Sequence, residues 1–132
     1  MTAKVTHFEI PVDKMARAKK FYSDVFEWKI MEWPAETPEE EYTMVIGAKM
    51  DKEGMTVEKG AINGGMIMRE KPLVHPIITI DVEDIDETLV KVKKKGGKIT
   101  MKKMVMEGMG AYAYFEDSEG NVMGLWESTG KK

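Results

Sequence analysis

The chain has 132 residues, a formal net charge of −3, 33% charged residues and no cysteine. That length suits one compact domain with a buried core, and lysines interleaved with glutamates form no basic stripe to neutralise phosphates, which excludes nucleic acid as a partner. Without cysteine there are no disulfides, thiolate metal sites or thiol nucleophiles; no apolar run nears membrane-spanning length and no signal-peptide core opens the chain, so the expectation is a cytoplasmic protein with no membrane partner.

Val5 to Val12 alternates, with Phe8, Ile10 and Val12 on one face of a strand and His7, Glu9 and Pro11 on the other. Asp13 can cap the run that follows, in which Met15, Ala18, Phe21, Tyr22, Val25 and Phe26 recur at helical spacing. This helix is expected to cover the sheet against Phe8 and Ile10. Trp28 to Trp33 reads as a strand, Pro34 to Glu41 as a loop rich in proline and glutamate, and Tyr42 to Lys49 as a strand. Asp51 to Gly60 reads as a solvated turn, and Ala61 to Met68 closes the unit. Gly64 and Gly65 within that last strand suggest a bulge or close approach by a ligand or another backbone. The result is a βαβββ module.

After a linker from Arg69 to Val74 the pattern recurs. His75 to Val82 reads as a strand, with Ile78, Ile80 and Val82 toward a helix and His75, Ile77, Thr79 and Asp81 away from it. Asp84 and Asp86 mark a helix start; Ile85, Leu89 and Val92 supply its apolar stripe, and Gly96 and Gly97 end it. Strands follow at Lys98 to Lys103, Ala111 to Glu116 and Asn121 to Glu127, with a tight turn from Asp117 to Gly120. The chain's only two histidines, His7 and His75, each open a copy, 68 residues apart, and Lys29-Ile30 and Lys98-Ile99 repeat at a spacing of 69. The predicted fold is therefore α+β: one domain over residues 1–132, with module one at 1–70 and module two at 71–132. Two βαβββ modules form curved mixed sheets around a cup, with the helices on the outer face.

Taken together, His7 to Asp13, Ala18 to Tyr22, Val25 to Trp28, Ile80 to Val82 leading to Asp84-Ile85-Asp86, Gly96-Gly97-Lys98, Asp117 to Asn121 and Gly124-Leu125 resemble the vicinal oxygen chelate superfamily. That superfamily includes glyoxalase I, bleomycin-resistance proteins, extradiol dioxygenases and methylmalonyl-CoA epimerase, and the likeness covers nearly the whole chain. In its metal-using members the first strand of each module supplies a histidine and the last strand a carboxylate or amide, around one divalent ion. The resemblance puts His7 and His75 on the two histidine positions, but Gly124 and Gly65 fall at or beside the carboxylate positions and offer no side-chain ligand. A divalent ion such as Zn, Ni or Fe would need a third ligand. Glu9, two residues along from His7 on the same face, is the candidate for that role or for an acid or base beside a substrate. Glu127 is a poorer choice, since its odd separation from Gly124 turns it to the other face.

Trp33, Tyr42, Tyr112, Tyr114 and Trp126 are candidates to line the cup and stack on a flat ligand. Of these, Trp126, Tyr112 and Tyr114, with Gly65 and Gly124, form the expected ligand-binding set. The leading expectation is a small-molecule binding protein of the bleomycin-resistance type without a complete metal site. The alternative is a divalent-metal-dependent lyase or isomerase using His7, His75 and Glu9. The resemblance further implies a homodimer.

Overall fold

The computed structural model describes residues 2–33, 42–52 and 56–128, so the predicted loop over 34–41 and part of the 51–60 turn lie outside the described residues. Among the described residues the fold is α+β, with eight strands and two helices in two compact units. One unit comprises residues 7–76, and the other the residues up to Thr6 with those from Ile77 on.

The first unit contains β1 (Lys4–Val12) from His7 on, α1 (Met15–Phe26), β2 (Lys29–Trp33), β3 (Tyr42–Ile46) and β4 (Asn63–Met68). Its strand order is β2-β3-β4-β1, with β1 parallel to β4 and the other pairs antiparallel. Alternation decides which residues go inward: Val12, Val45 and Met66 form the buried centre, joined by Phe8, Ile10, Ile30 and, from the helix, Met15, Ala18 and Tyr22. The Tyr22 ring lies parallel to that of Trp28, 5.2 Å away and 5° from coplanar, so aromatic stacking seats this helix. The rest of its predicted stripe is not covered: Phe21, Val25 and Phe26 are each more than half exposed, at 54%, 54% and 53%.

Asp13 does not cap α1. The N-cap is Lys14, whose side chain makes no capping bond, and the Asp13 carboxylate instead accepts from Arg69 Nε at 2.8 Å. Arg69 also donates to the carbonyls of Val74 and Pro11, which ties the linker to the end of β1. The two glycines of β4 make no bulge: the β1–β4 register runs unbroken from His7 opposite Asn63 to Val12 opposite Met68.

The second unit contains β5 (Ile77–Asp81), α2 (Ile85–Lys94), β6 (Lys98–Met106), β7 (Gly110–Glu116) and β8 (Val122–Ser128), in the order β5-β8-β7-β6 with β5 parallel to β8. Here the helix is well anchored. Ile85 and Leu89 are buried against Ala111, Ala113, Phe115 and Leu125, each worth about 1.5–3 kcal/mol of apolar burial. Asp84 is the N-cap and accepts from Glu87 N at 3.0 Å, while Glu127 reaches across from β8 to accept from Ile85 N at 2.8 Å. Glycine ends the helix as expected: Gly96 takes φ +97°, and Gly97 N donates back to Val92 O at 2.9 Å. The Asp117–Gly120 turn also forms, with Gly120 N bonded to Asp117 O. Ile78, expected beneath the helix, is 44% exposed because the ten-residue α2 packs over Ile80 and Val82.

Candidate functional site

Backbone pairing fixes how the two copies correspond. In the first unit Glu9 lies opposite Gly65, and in the second Thr79 lies opposite Gly124. The helix N-caps, Lys14 and Asp84, keep the same spacing of 70 residues. In this register the counterpart of His7 is Ile77. His75 falls two residues earlier, exposed and outside β5, because Pro76 has no N–H for the ladder and the strand begins only at Ile77. The spacing of 68 between the histidines is thus a coincidence of sequence that the strands do not share.

Around β1 the first unit gathers three polar side chains. Glu9 is buried, at 7% exposure, although it is a carboxylate. Its Oε2 accepts from the Tyr42 hydroxyl at 2.9 Å, and the same hydroxyl lies 2.7 Å from His7 Nε2. Such burial is tolerable only with hydrogen bonds of this kind. Tyr42 arrives here because Met44 sits opposite Gly65 on β3, which puts Tyr42 on the diagonal of the same face. A Cβ at Gly65 would stand 2.0 Å from the Tyr42 oxygen and 2.2 Å from Cζ. Glycine at 65 therefore makes room for the phenol, and the close approach expected at the glycine pair comes from this side chain. Gly64, facing the other way, lies against Phe8, whose ring and carbonyl oxygen would both be 2.5 Å from a Cβ.

A phenol has one proton to give. It goes to the Glu9 carboxylate, and donor and acceptor in the contact with His7 Nε2 follow the tautomer of the imidazole. Burial holds the His7 imidazole below its ordinary pKa of 6.5, with the nearby charge of Glu9 pulling the other way. The His7 ring lies 6.0 Å from that of Tyr42 at an interplanar angle of 28°. Asn63, opposite His7, is spent on the turn after β3: its Oδ1 accepts from Gly47 N and Ala48 N, and its Nδ2 donates to Ala48 O.

In the second unit the expected ligand-binding residues share one face away from α2. Tyr112 pairs with Trp126 and Tyr114 with Gly124 across β7 and β8. Tyr112 and Tyr114 meet edge to face at 6.0 Å, and Trp126 Nε1 donates to Ser128 Oγ at 3.1 Å. A Cβ at Gly124 would be 2.8 Å from Thr79 Oγ1 and 3.5 Å from Tyr114 Cε1, so this glycine is overlaid less severely than Gly65. Glu127 turns to the helix face, as parity required, and serves there as a cap. The side chain of Trp33 lies outside the described residues.

Two shallow concavities elsewhere include none of the expected site residues. One, of about 180 Å³, is lined by residues such as Lys14, Arg17 and Arg69; the other, of about 470 Å³, by Lys93, Thr100 and Glu116 among others.

The donor set does not fit a divalent ion held in the family's manner. In this register His7 corresponds to Ile77 and Gly65 to Gly124, so of these four positions His7 alone carries a side chain able to ligate a metal. Among the described residues no cluster of three or more histidines and carboxylates is arranged to hold a metal. Sequence reasoning placed Glu9 beside His7 but treated Tyr42 only as a stacking surface. The usable signal was an aromatic residue diagonal to a glycine, a pairing that strands use to cover the bare backbone.

A model of the Glyoxalase/Bleomycin resistance protein/Dioxygenase superfamily matches residues 4–125. The chain is 28% identical over 130 residues to the lactoylglutathione lyase of Haemophilus influenzae, covering 98% of this chain and 96% of that one. It is also 28% identical to a glyoxylase-like domain-containing protein of Didymella fabae, covering 97% and 96%. Among solved structures, a hypothetical protein of Bacillus halodurans superposes with a TM-score of 0.66 at 15% identity, over 98% of this chain and 96% of that one. The Streptomyces coelicolor methylmalonyl-CoA epimerase, in complex with 2-nitronate-propionyl-CoA, gives 0.65 at 14% identity over 98% and 99%; at these identities the two structures show the fold alone. No helix among the described residues is long and apolar enough to cross a membrane.

Proposed function

The chain belongs to the Glyoxalase/Bleomycin resistance protein/Dioxygenase superfamily, and from that premise we propose that it binds a small organic molecule without a resident divalent ion. The observation that carries this reading is the Tyr42 phenol lying on Gly65. Where the family's metal-using members place a ligand on the last strand, this chain has a bare backbone covered by a tyrosine that engages both His7 and Glu9. A fold of this kind hosts many chemistries, so the side chains decide. Three of the four inherited positions carry no ligand atom, and a lone imidazole with a carboxylate already bonded to a phenol is a weak divalent site.

The alternative, a metal-dependent lyase or isomerase acting through His7, His75 and Glu9, draws on the likeness to the lactoylglutathione lyase. Elemental analysis of untagged protein, alone and after incubation with Zn, Ni or Fe(II), separates the two readings. The expected result is substoichiometric metal that is unchanged by His7→Ala or His75→Ala. Stoichiometric metal lost in both variants overturns the proposal and establishes the alternative.

A further inference from the structure

The charges of the two helices run in opposite senses. α2 opens on Asp86 and Glu87 and closes on Lys91, Lys93 and Lys94, so each end carries the sign that its dipole favours. α1 begins at Lys14 and Arg17 and finishes at Asp24 and Glu27, with no acidic residue in its first turn and no basic one in its last. That order works against the helix's own dipole, yet an antiparallel copy of the same helix would complement it. The same helix leaves Phe21 and Val25 uncovered, each 54% exposed. Arg17, Phe21, Asp24 and Val25 stand at i, i+4, i+7 and i+8, so two apolar side chains and two opposite charges share one side. We propose that this side of α1 is the docking surface for a second copy of the chain, which lays its own α1 antiparallel across it about a two-fold axis at Phe21.

The spacing sets the axis. Arg17 and Val25 lie four residues to either side of Phe21, so antiparallel pairing brings Arg17 beside Val25 of the second copy. It also comes within one residue, about 1.5 Å of axial rise, of that copy's Asp24. Two-fold symmetry makes the ion pair twice, once on each side of the two Phe21 rings. Lys19 is engaged by Glu32 and Lys20 by Asp24 Oδ2 at 2.9 Å, whereas Arg17 makes no ion pair among the described residues. The Phe21 ring is braced edge to face on Tyr22 at 5.1 Å, which holds it ready for a partner. A uniformly acidic or basic partner would satisfy one end of this strip and repel the other; only a partner with the reversed order of charges suits both. A twelve-residue helix is about 18 Å long, so the contact is small, and the dimer depends on concentration and weakens with salt. The inference is independent of the metal-free reading.

Sedimentation equilibrium of the full chain, from about 10 µM to about 1 mM at low salt and again at about 0.5 M salt, tests it. The expected result is a reversible monomer–dimer equilibrium whose dissociation constant rises with salt. Arg17→Glu and Asp24→Arg, both at exposed positions, each weaken self-association at least about tenfold, because each turns two attractive contacts into two repulsive ones. Mixed one to one, the two variants associate with each other about as tightly as the unmodified chain does, since every cross-pair is then opposite in charge. Should a charge variant fail to fold, Phe21→Ser, which alters no charge, takes its place and also weakens the dimer about tenfold. A chain that stays monomeric at about 1 mM, a dimer indifferent to these substitutions, or a mixture that associates no better than its components each overturns the inference. Metal content decides the metal-free reading separately, so failure of one leaves the other standing.

Discussion

Gly65 and Gly124 occupy the same place in the two units, each on the last strand opposite the unit's opening strand, yet they accommodate different neighbours. At Gly65 a tyrosine from the diagonal position lies on the backbone and joins a histidine to a buried carboxylate. At Gly124 the nearest neighbours are the Thr79 hydroxyl and the edge of Tyr114. One duplicated scaffold has thus kept a polar cluster in one half and an aromatic wall in the other. A missing side chain can be the condition for a functional group as well as the loss of one.

The sharpest way to break this contrast is to give each glycine a Cβ. Gly65→Ala forces the Tyr42 ring away and costs about 1–3 kcal/mol, as overpacking of a tight site does. Gly124→Ala, which needs only a small shift of Thr79, costs less than about 1 kcal/mol. Urea midpoints of the two variants check the difference, and equal losses would mean that the halves are built alike.

The helices extend the comparison. Glu127→Ala strips α2 of the acceptor for Ile85 N and lowers stability by about 1–2 kcal/mol in the same assay. Lys14→Asp offers the uncapped α1 a cap and a favourable charge, and should raise stability by about 0.5–1 kcal/mol. A null result at Lys14 would mean that aromatic stacking alone governs that helix.

The smallest expected effect is on pH dependence. The folded pKa of His7 lies below its unfolded value of 6.5, so the unfolded chain binds more protons in the interval between the two. Stability from this source is complete above the unfolded value and is lost as pH falls through the folded one. Thermal midpoints measured from neutral into mildly acid solution should decline less steeply in His7→Phe than in the unmodified chain. An identical decline would show that His7 is not held neutral by burial.

Strand parity made much of this legible in the sequence. Alternation alone put His7 and Glu9 on one face, put Gly124 with Trp126 and turned Glu127 away from them, while setting Tyr112 and Tyr114 opposite that pair took the β7–β8 register. Period 2 carries that information without any knowledge of packing. The correspondence of the two copies was not legible, because two histidines at matching places in the text outweighed a two-residue difference that only hydrogen-bond registers reveal. Asp13 carried a capping signature but was drawn to Arg69, a partner 56 residues away that no local pattern announces. The role of Tyr42 depended on a side-chain direction, which periodicity narrows to a face and no further.

Asn63 has one more bearing on the molecule. By clasping the amides of Gly47 and Ala48 and the carbonyl of Ala48, it pins together the two ends of the excursion between β3 and β4, whatever that excursion contains. The excursion is therefore a natural graft point: a reporter peptide spliced into residues 49–62 would hang from a closed clasp, leaving the strand that carries Tyr42 in register while the insert varies in length.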